Sequence, residues 1–345
     1  MMYKWIFLLL ITCSCVLSAQ EAPLFKVDPS FPKPLPTGWI NGQVGGVCVD
    51  SHDHVTIVDR RDITEEETET SIPTPPVITF NLEGNLINSF GNPDLVPRGI
   101  HSCFFDTEDN VWVAGNQDSI VQKYSHAGEM LMQIGTKDVF DTVDGTRQGK
   151  ALNSSKEYLH RPSAVVVDPD TGDIFISDGY GNRRIVVFDK NGNFLRQWGR
   201  QATEAEMVAG TPSTFASTVH CIAMNNSGEV YVCDRFGDRI QVFNKMGDYL
   251  RSIHIGEKTH SRGTAWFVAF SSDMEQEHLY VINGGWEKVE ILDHASGASL
   301  TTFGRPGHQI GHFTHAHTVA VDSTGGIYIA ETSTGRRVQR FTRSN

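Results

Sequence analysis

Residues 163–199, SAVVVDPDTGDIFISDGYGNRRIVVFDKNGNFLRQWG, decide the fold. The apolar runs AVVV and IFIS flank a turn of Asp, Pro and Gly, and IVVF and FLRQW flank Gly192 in the same way. Each pair reads as a β-hairpin, so the stretch is four short strands running up and down. The pattern recurs. GGVCVDSHDHVTIVD (45–59), HSCFFDTEDNVWVAG (101–115), HCIAMNNSGEVYVCD (220–234), WFVAFSSDMEQEHLYVIN (266–283) and HTVAVDSTGGIYIAE (317–331) are further inner hairpins. VITFNLEGNLINSFG, VQKYSHAGEMLMQIG, IQVFNKMGDYLRSIH and VEILDHASGASLTTFG supply outer ones. Anchored on Asp50, Asp106, Asp168, Asn225, Ser271 and Asp322, the periods are 56, 62, 57, 46 and 51 residues. Six repeats of four antiparallel strands predict an all-β, six-bladed β-propeller.

The last repeat ends in VQRFTRSN, one strand short, and an open sheet edge is a liability. Leu24 to Val27 is a spare strand of suitable length, so the ring is expected to be closed by its own N-terminal strand. Residues 20–345 then form one domain. Its excess over minimal blades lies in loops: the acidic, Pro-rich Thr64 to Pro76, Lys137 to Tyr158, and Gln201 to Pro212.

The chain has 345 residues, 39% hydrophobic and 20% charged, with 32 Gly and 14 Pro, an ordinary globular composition rich in turns. A net charge of −12 excludes a main role in gripping nucleic acid or anionic lipid. Residues 1–19 read as a secretory signal peptide: Lys4, an apolar run from Ile6 to Cys13, and Ala19 at the cleavage point. Lipidation at Cys13 or Cys15 is the lesser alternative. Secretion or export to a periplasm is therefore expected, with no membrane span and a monomer as the form. The mature chain keeps Cys48, Cys103, Cys221 and Cys233. A turn at Asn225 to Gly228 would set Cys221 opposite Cys233, within bonding reach, although four buried thiols is the slightly favoured reading.

Five residues before each anchor stand Gly45, His101, Ser163, His220, Trp266 and His317. Histidine occupies alternate repeats, and inner-strand ends surround a propeller's channel, so three imidazoles should converge near the axis. Three converging His with an open fourth position is the ligand set of a catalytic zinc. A lone His at such a site would usually be structural. His308, His312 and His315 could reach the same face, whereas His52, His54, His254, His278 and His294 are expected on solvated surface. Loops after the second strands return to the same end of the channel. Arg60 or Arg61 could take a carboxylate there, and Tyr180 beside a cation could act as a base. Asp178, Asp234 and Glu331 are expected to tie loops together, and Arg235 and Phe236 to pack between blades.

These repeats match propellers of NHL type, and SDGYGNRRIVVFDKNGNFLRQWG (177–199) resembles a blade of the peptidyl-α-hydroxyglycine α-amidating lyases. The resemblance runs from about Phe25 to Phe341, FKVDP included. It implies Zn²⁺ held by His101, His220 and His317, with Arg60 (in IVDRRD) and Tyr180 (in SDGY) as catalytic residues. The implied reaction cleaves a peptide or small molecule ending in α-hydroxyglycine to an amide plus glyoxylate. The sequence departs from the family at several points. Gly181 and His160 replace a cysteine pair, and His315 replaces a methionine. Thr318 stands where an aspartate would help hold Ca²⁺, leaving carbonyls near Val47 and Cys103 as donors and making calcium doubtful. Nothing in these 345 residues resembles the copper monooxygenase partner domain, so the hydroxylated substrate is expected to come from elsewhere. Two other readings are a non-catalytic propeller that binds a peptide or protein, and a zinc enzyme with a different substrate.

Overall fold

A computed structural model describes residues 22–256 and 262–344. The signal peptide expected at residues 1–19 lies outside them. Six four-stranded antiparallel sheets form the blades of one propeller. Blade one comprises Val44–Val49, Val55–Asp59, Val77–Phe80 and Leu86–Phe90. The inner strands of blades two to six are Ile100–Phe105, Ala164–Val167, Val219–Met224, Ala265–Phe270 and Ala316–Val321. The fourth strand of blade six is Phe25–Asp28, paired antiparallel with Arg337–Arg343, so the N-terminal segment closes the ring. Among the described residues, helix is confined to Glu65–Thr68, Glu204–Ala209 and one 3₁₀ turn, Arg235–Gly237. None of the described helices is long and apolar enough to cross a membrane.

The anchor residues explain why each inner hairpin turns where it does. Asp50, Asp106, Asn225 and Asp322 each accept backbone N–H groups two and four residues on, as a short polar side chain can. The following strand then drives an aromatic ring between blades: Trp112, Phe175, Tyr231, Tyr280 and Tyr328 are almost wholly buried. The polar tips of two of them return to the anchors, Trp112 Nε1 to Asp106 (3.0 Å) and the Tyr328 hydroxyl to Asp322 (2.8 Å). These two buried rings thus keep their hydrogen bonds, which burial would otherwise make costly to lose.

The cysteines correct the thiol reading. Cys221 and Cys233 are bonded across the blade-four hairpin, and Cys48 is bonded to Cys103, joining the inner strands of blades one and two. The first pair follows from hairpin register; the second joins different blades, which no single hairpin reveals. His278 and His294 also depart from expectation. His278 is 2% exposed, and His294 shares a 2.6 Å hydrogen bond with the Tyr231 hydroxyl beneath the outer loops.

Candidate metal centre

In five of the six blades the inner pair shifts register at one place. The irregularity falls at Gly45, His101, Trp266 and His317, and across His220–Cys221 in blade four. A bulge re-aims the residue it carries, here away from the blade face and into the channel. His101, His220 and His317 consequently meet at the axis, each 3% exposed or less, and each offers a ligand atom within 4.8 Å of the others.

Their orientation is fixed by the neighbouring blades. His101 Nδ1 lies 2.8 Å from the Ser163 carbonyl, His220 Nδ1 2.6 Å from that of Trp266, and His317 Nδ1 2.8 Å from that of Gly45. A carbonyl can only accept, so each Nδ1 carries the proton and each Nε2 is left with a lone pair. The three acceptors are the same repeat position in blades three, five and one. Burial pushes all three imidazoles well below their ordinary pKa, and the Arg60 charge adds to this, so they are neutral and competent as ligands. His101 Nε2 and His317 Nε2 face each other at 3.2 Å, and the buried His220 Nε2 has no partner. Two lone pairs so placed repel unless a cation lies between them. Their separation matches two nitrogens at about 2.0–2.1 Å from one tetrahedral zinc. The donor set can therefore hold a metal and is compatible with zinc.

Tyr180 and Arg60 are brought to the same place. The Tyr180 hydroxyl is 3.0 Å from His101 Nε2, and Tyr180 and Arg60 border a cavity of about 590 Å³ with Gln43, Trp266, His315 and His317. Arg60 donates from Nε to the Ile100 carbonyl (3.0 Å) and from Nη1 to Gln43 Oε1 (3.0 Å). Blade one carries glycine at the histidine position, where a Cβ would strike the same Ile100 carbonyl oxygen that accepts from Arg60. Arg61, by contrast, adopts a positive φ of 61° and donates to the Thr74 carbonyl, outside the cavity wall. Burial raises the Tyr180 pKa, while the charges of Arg235, Arg60 and Arg161 pull it back.

Arg235 packs between blades four and five as expected, and it also lines the cavity. Its 3₁₀ turn lays the guanidinium over Trp266, 3.8 Å from the ring centroid, with Nη1 3.5 Å from the Tyr180 hydroxyl. Phe236 stays at the surface, 38% exposed. Arg161 lies over the Tyr180 ring at 5.4 Å and Arg262 over Trp266 at 5.2 Å; neither was legible, because both precede the inner strands in non-repeating loops. Of the loop histidines only His315 reaches the cavity; His308 and His312 bond within their own loop, to Thr314 and Arg305. Asp178, Asp234 and Glu331 do tie loops, accepting from the backbone N–H of His160, Ala216 and Thr314. At the missing cysteine pair, His160 and Gly181 touch instead, and a Cβ on residue 181 would enter the imidazole. Thr318 receives the Val47 N–H at 3.0 Å, so no carboxylate stands at that position.

No family model matches the chain. Peptidyl-glycine alpha-amidating monooxygenase of Mus musculus is 26% identical over 337 residues, covering 87% of this chain. The match spans only 30% of the mouse protein's length, less than a third. Peptidyl-alpha-hydroxyglycine alpha-amidating lyase 1 of Drosophila melanogaster is 25% identical over 70% of this chain and 44% of its own. NHL repeat-containing protein 3 of Homo sapiens is 25% identical over 93% of this chain and 85% of its own. Among solved structures, a streptogramin B lyase aligns with a TM-score of 0.59 at 10% identity, over 93% of this chain and 98% of that one. The resemblance to amidating lyases and NHL-repeat proteins thus extends over most of the chain, and the solved structure shares the fold.

Proposed function

We propose that this propeller is a zinc-dependent lyase, exported from the cell, that cleaves the N–C bond of R-CO-NH-CH(OH)-COO⁻ to R-CO-NH₂ and glyoxylate. The observation that carries the reading is the set of three inward Nε2 lone pairs with a phenol 3.0 Å from one of them and a guanidinium in the same cavity. Two disulfides support an oxidising compartment. His101, His220 and His317 would hold the zinc, which when bound supplies Lewis acidity toward a substrate oxygen.

The chain's own residues do the rest. Arg60, held by Ile100 and Gln43, keeps Nη2 free to hydrogen-bond the substrate carboxylate. Tyr180, as its phenolate, takes the hydroxyl proton. As the C–O bond becomes the aldehyde C=O, the C–N bond breaks and its electron pair goes to nitrogen, which receives that proton back from Tyr180, so the phenolate is restored. Arg235, at 3.5 Å from the phenolic oxygen, favours the phenolate that serves as this base. The test is glyoxylate release from α-hydroxyhippurate by the purified protein. Release that stops with chelator and returns with zinc supports the proposal; its absence in the zinc-loaded protein defeats it.

A further inference from the structure

The cavity holds more cationic charge than one carboxylate requires. Arg60, Arg235 and Arg262 line it and Arg161 covers Tyr180. Among the described residues, no carboxylate lies within 4.0 Å of Arg60, Arg161 or Arg235; only Arg262 has one, Glu287, at 2.8 Å from Nη1. Glu287 is itself engaged by the Ala316 N–H. This concentration sits in a protein of net charge −12, so it is local construction and not a general basic character. The α-hydroxyglycine carboxylate would offset one guanidinium, leaving two of the other three without an ion-pair partner in a partly dehydrated site where charge interactions are strong.

The surplus is grouped. Arg235 and Arg262 both lie over Trp266, and the Arg235 Nε donates to the Arg262 carbonyl at 2.8 Å, which locks the two together. His315 borders the same side, with its ring centroid 6.4 Å from that of Trp266. Among the described residues, Arg262 Nη2 is buried without a hydrogen-bond partner. Arg60 stands apart, tied to Gln43 and blade two.

We propose that Arg262 and Arg235, on the Trp266 face, form a second anion subsite that takes a carboxylate on the acyl portion of the substrate. The preferred substrate class is then an α-hydroxyglycine amide whose acyl group or preceding residue is acidic. This rests on the lyase reading for its substrate, but the subsite can be tested without turnover. N-succinylglycine and N-butyrylglycine lack the hydroxyl and differ by one carboxylate for one methyl. In calorimetry on the zinc-loaded protein at low salt, the diacid should bind about tenfold tighter or better. Arg262→Gln should abolish that ratio, and Arg262→Lys, which keeps a cation, should retain most of it. Equal affinities in the wild type, or a ratio that changes alike in both variants, would overturn the subsite. If the lyase reading alone is wrong, the diacid preference persists without glyoxylate release. If the subsite alone is wrong, glyoxylate is released and the two ligands bind alike.

Discussion

One residue ahead of Arg60, Asp59 is a buried carboxylate without the arginine its repeat equivalents possess. Asp178 faces Arg184, Asp234 faces Arg239 and Glu331 faces Arg337, at 3.0, 2.9 and 2.7 Å. Asp59 accepts the N–H groups of Gly42 and Arg61, and burial lifts its pKa to about 7. The folded protein therefore keeps this proton while the unfolded chain releases it near pH 3.8. Stability contributed by the protonated form is lost as pH rises between those values, by at most about 1.4 kcal/mol per unit. Asp59→Asn should flatten that decline and be the more stable protein at pH 8; denaturant titrations giving parallel pH profiles would refute this. For the chemistry, Tyr180→Phe should lower kcat by roughly 10² to 10⁴ with zinc content and Tm unchanged, as for a lost general base. Arg60→Ala should raise KM as well as lower kcat, since a carboxylate clamp acts in ground-state binding too. Steady-state kinetics with metal analysis separates the two outcomes. The three histidines could be read because they recur at one repeat position, and Arg60 and Tyr180 because they follow second strands. Arg235 also follows one, yet its direction depends on a 3₁₀ turn and on Trp266 in the next blade, and neither is a local signal.

Among the elements, the inner strands carry the largest unread feature. Alternation along HSCFFD or HCIAMN locates a strand but not the shifted register that turns His101 and His220 inward. The closing strand was legible, because counting strands left blade six one short. It is more than an edge cover: Phe25 packs against Tyr280 and Phe303 of blade five, with ring centroids 5.8 and 5.4 Å apart. Removing residues 20–29 should expose the Arg337–Arg343 strand and uncover those rings, costing roughly 3 kcal/mol or more. A drop in Tm on the order of 5 °C or larger and lowered solubility are expected, by differential scanning and light scattering. A truncated protein as stable as the full chain would mean the strand is dispensable.

Across the whole molecule, contacts at the level of the histidines bridge every blade boundary. The imidazoles tie blade two to three, four to five, and six to one. The remaining boundaries are spanned by Arg60 to the Ile100 carbonyl, Ser163 Oγ to the Val219 carbonyl (2.6 Å), and the Ala316 N–H to Glu287. The metal centre is thus set in a continuous girdle, and loss of one ligand should be felt as lost metal before lost fold. His220→Ala should fall from about one zinc per chain to a small fraction after dialysis against chelator, yet remain folded by circular dichroism. Full occupancy in that variant would remove His220 from the ligand set. The ring also has a simpler property, fixed by its closing strand. Ser344 N–H bonds the Leu24 carbonyl at 2.8 Å, so the two ends of the propeller already touch. A polypeptide arranged this way is a circle cut once, and the position of the cut is arbitrary as far as the sheets are concerned. Splicing residue 344 to residue 24 through a short linker and opening the chain anew in the exposed Glu65–Thr68 segment should give a circular permutant with the same six blades and the same histidine cluster.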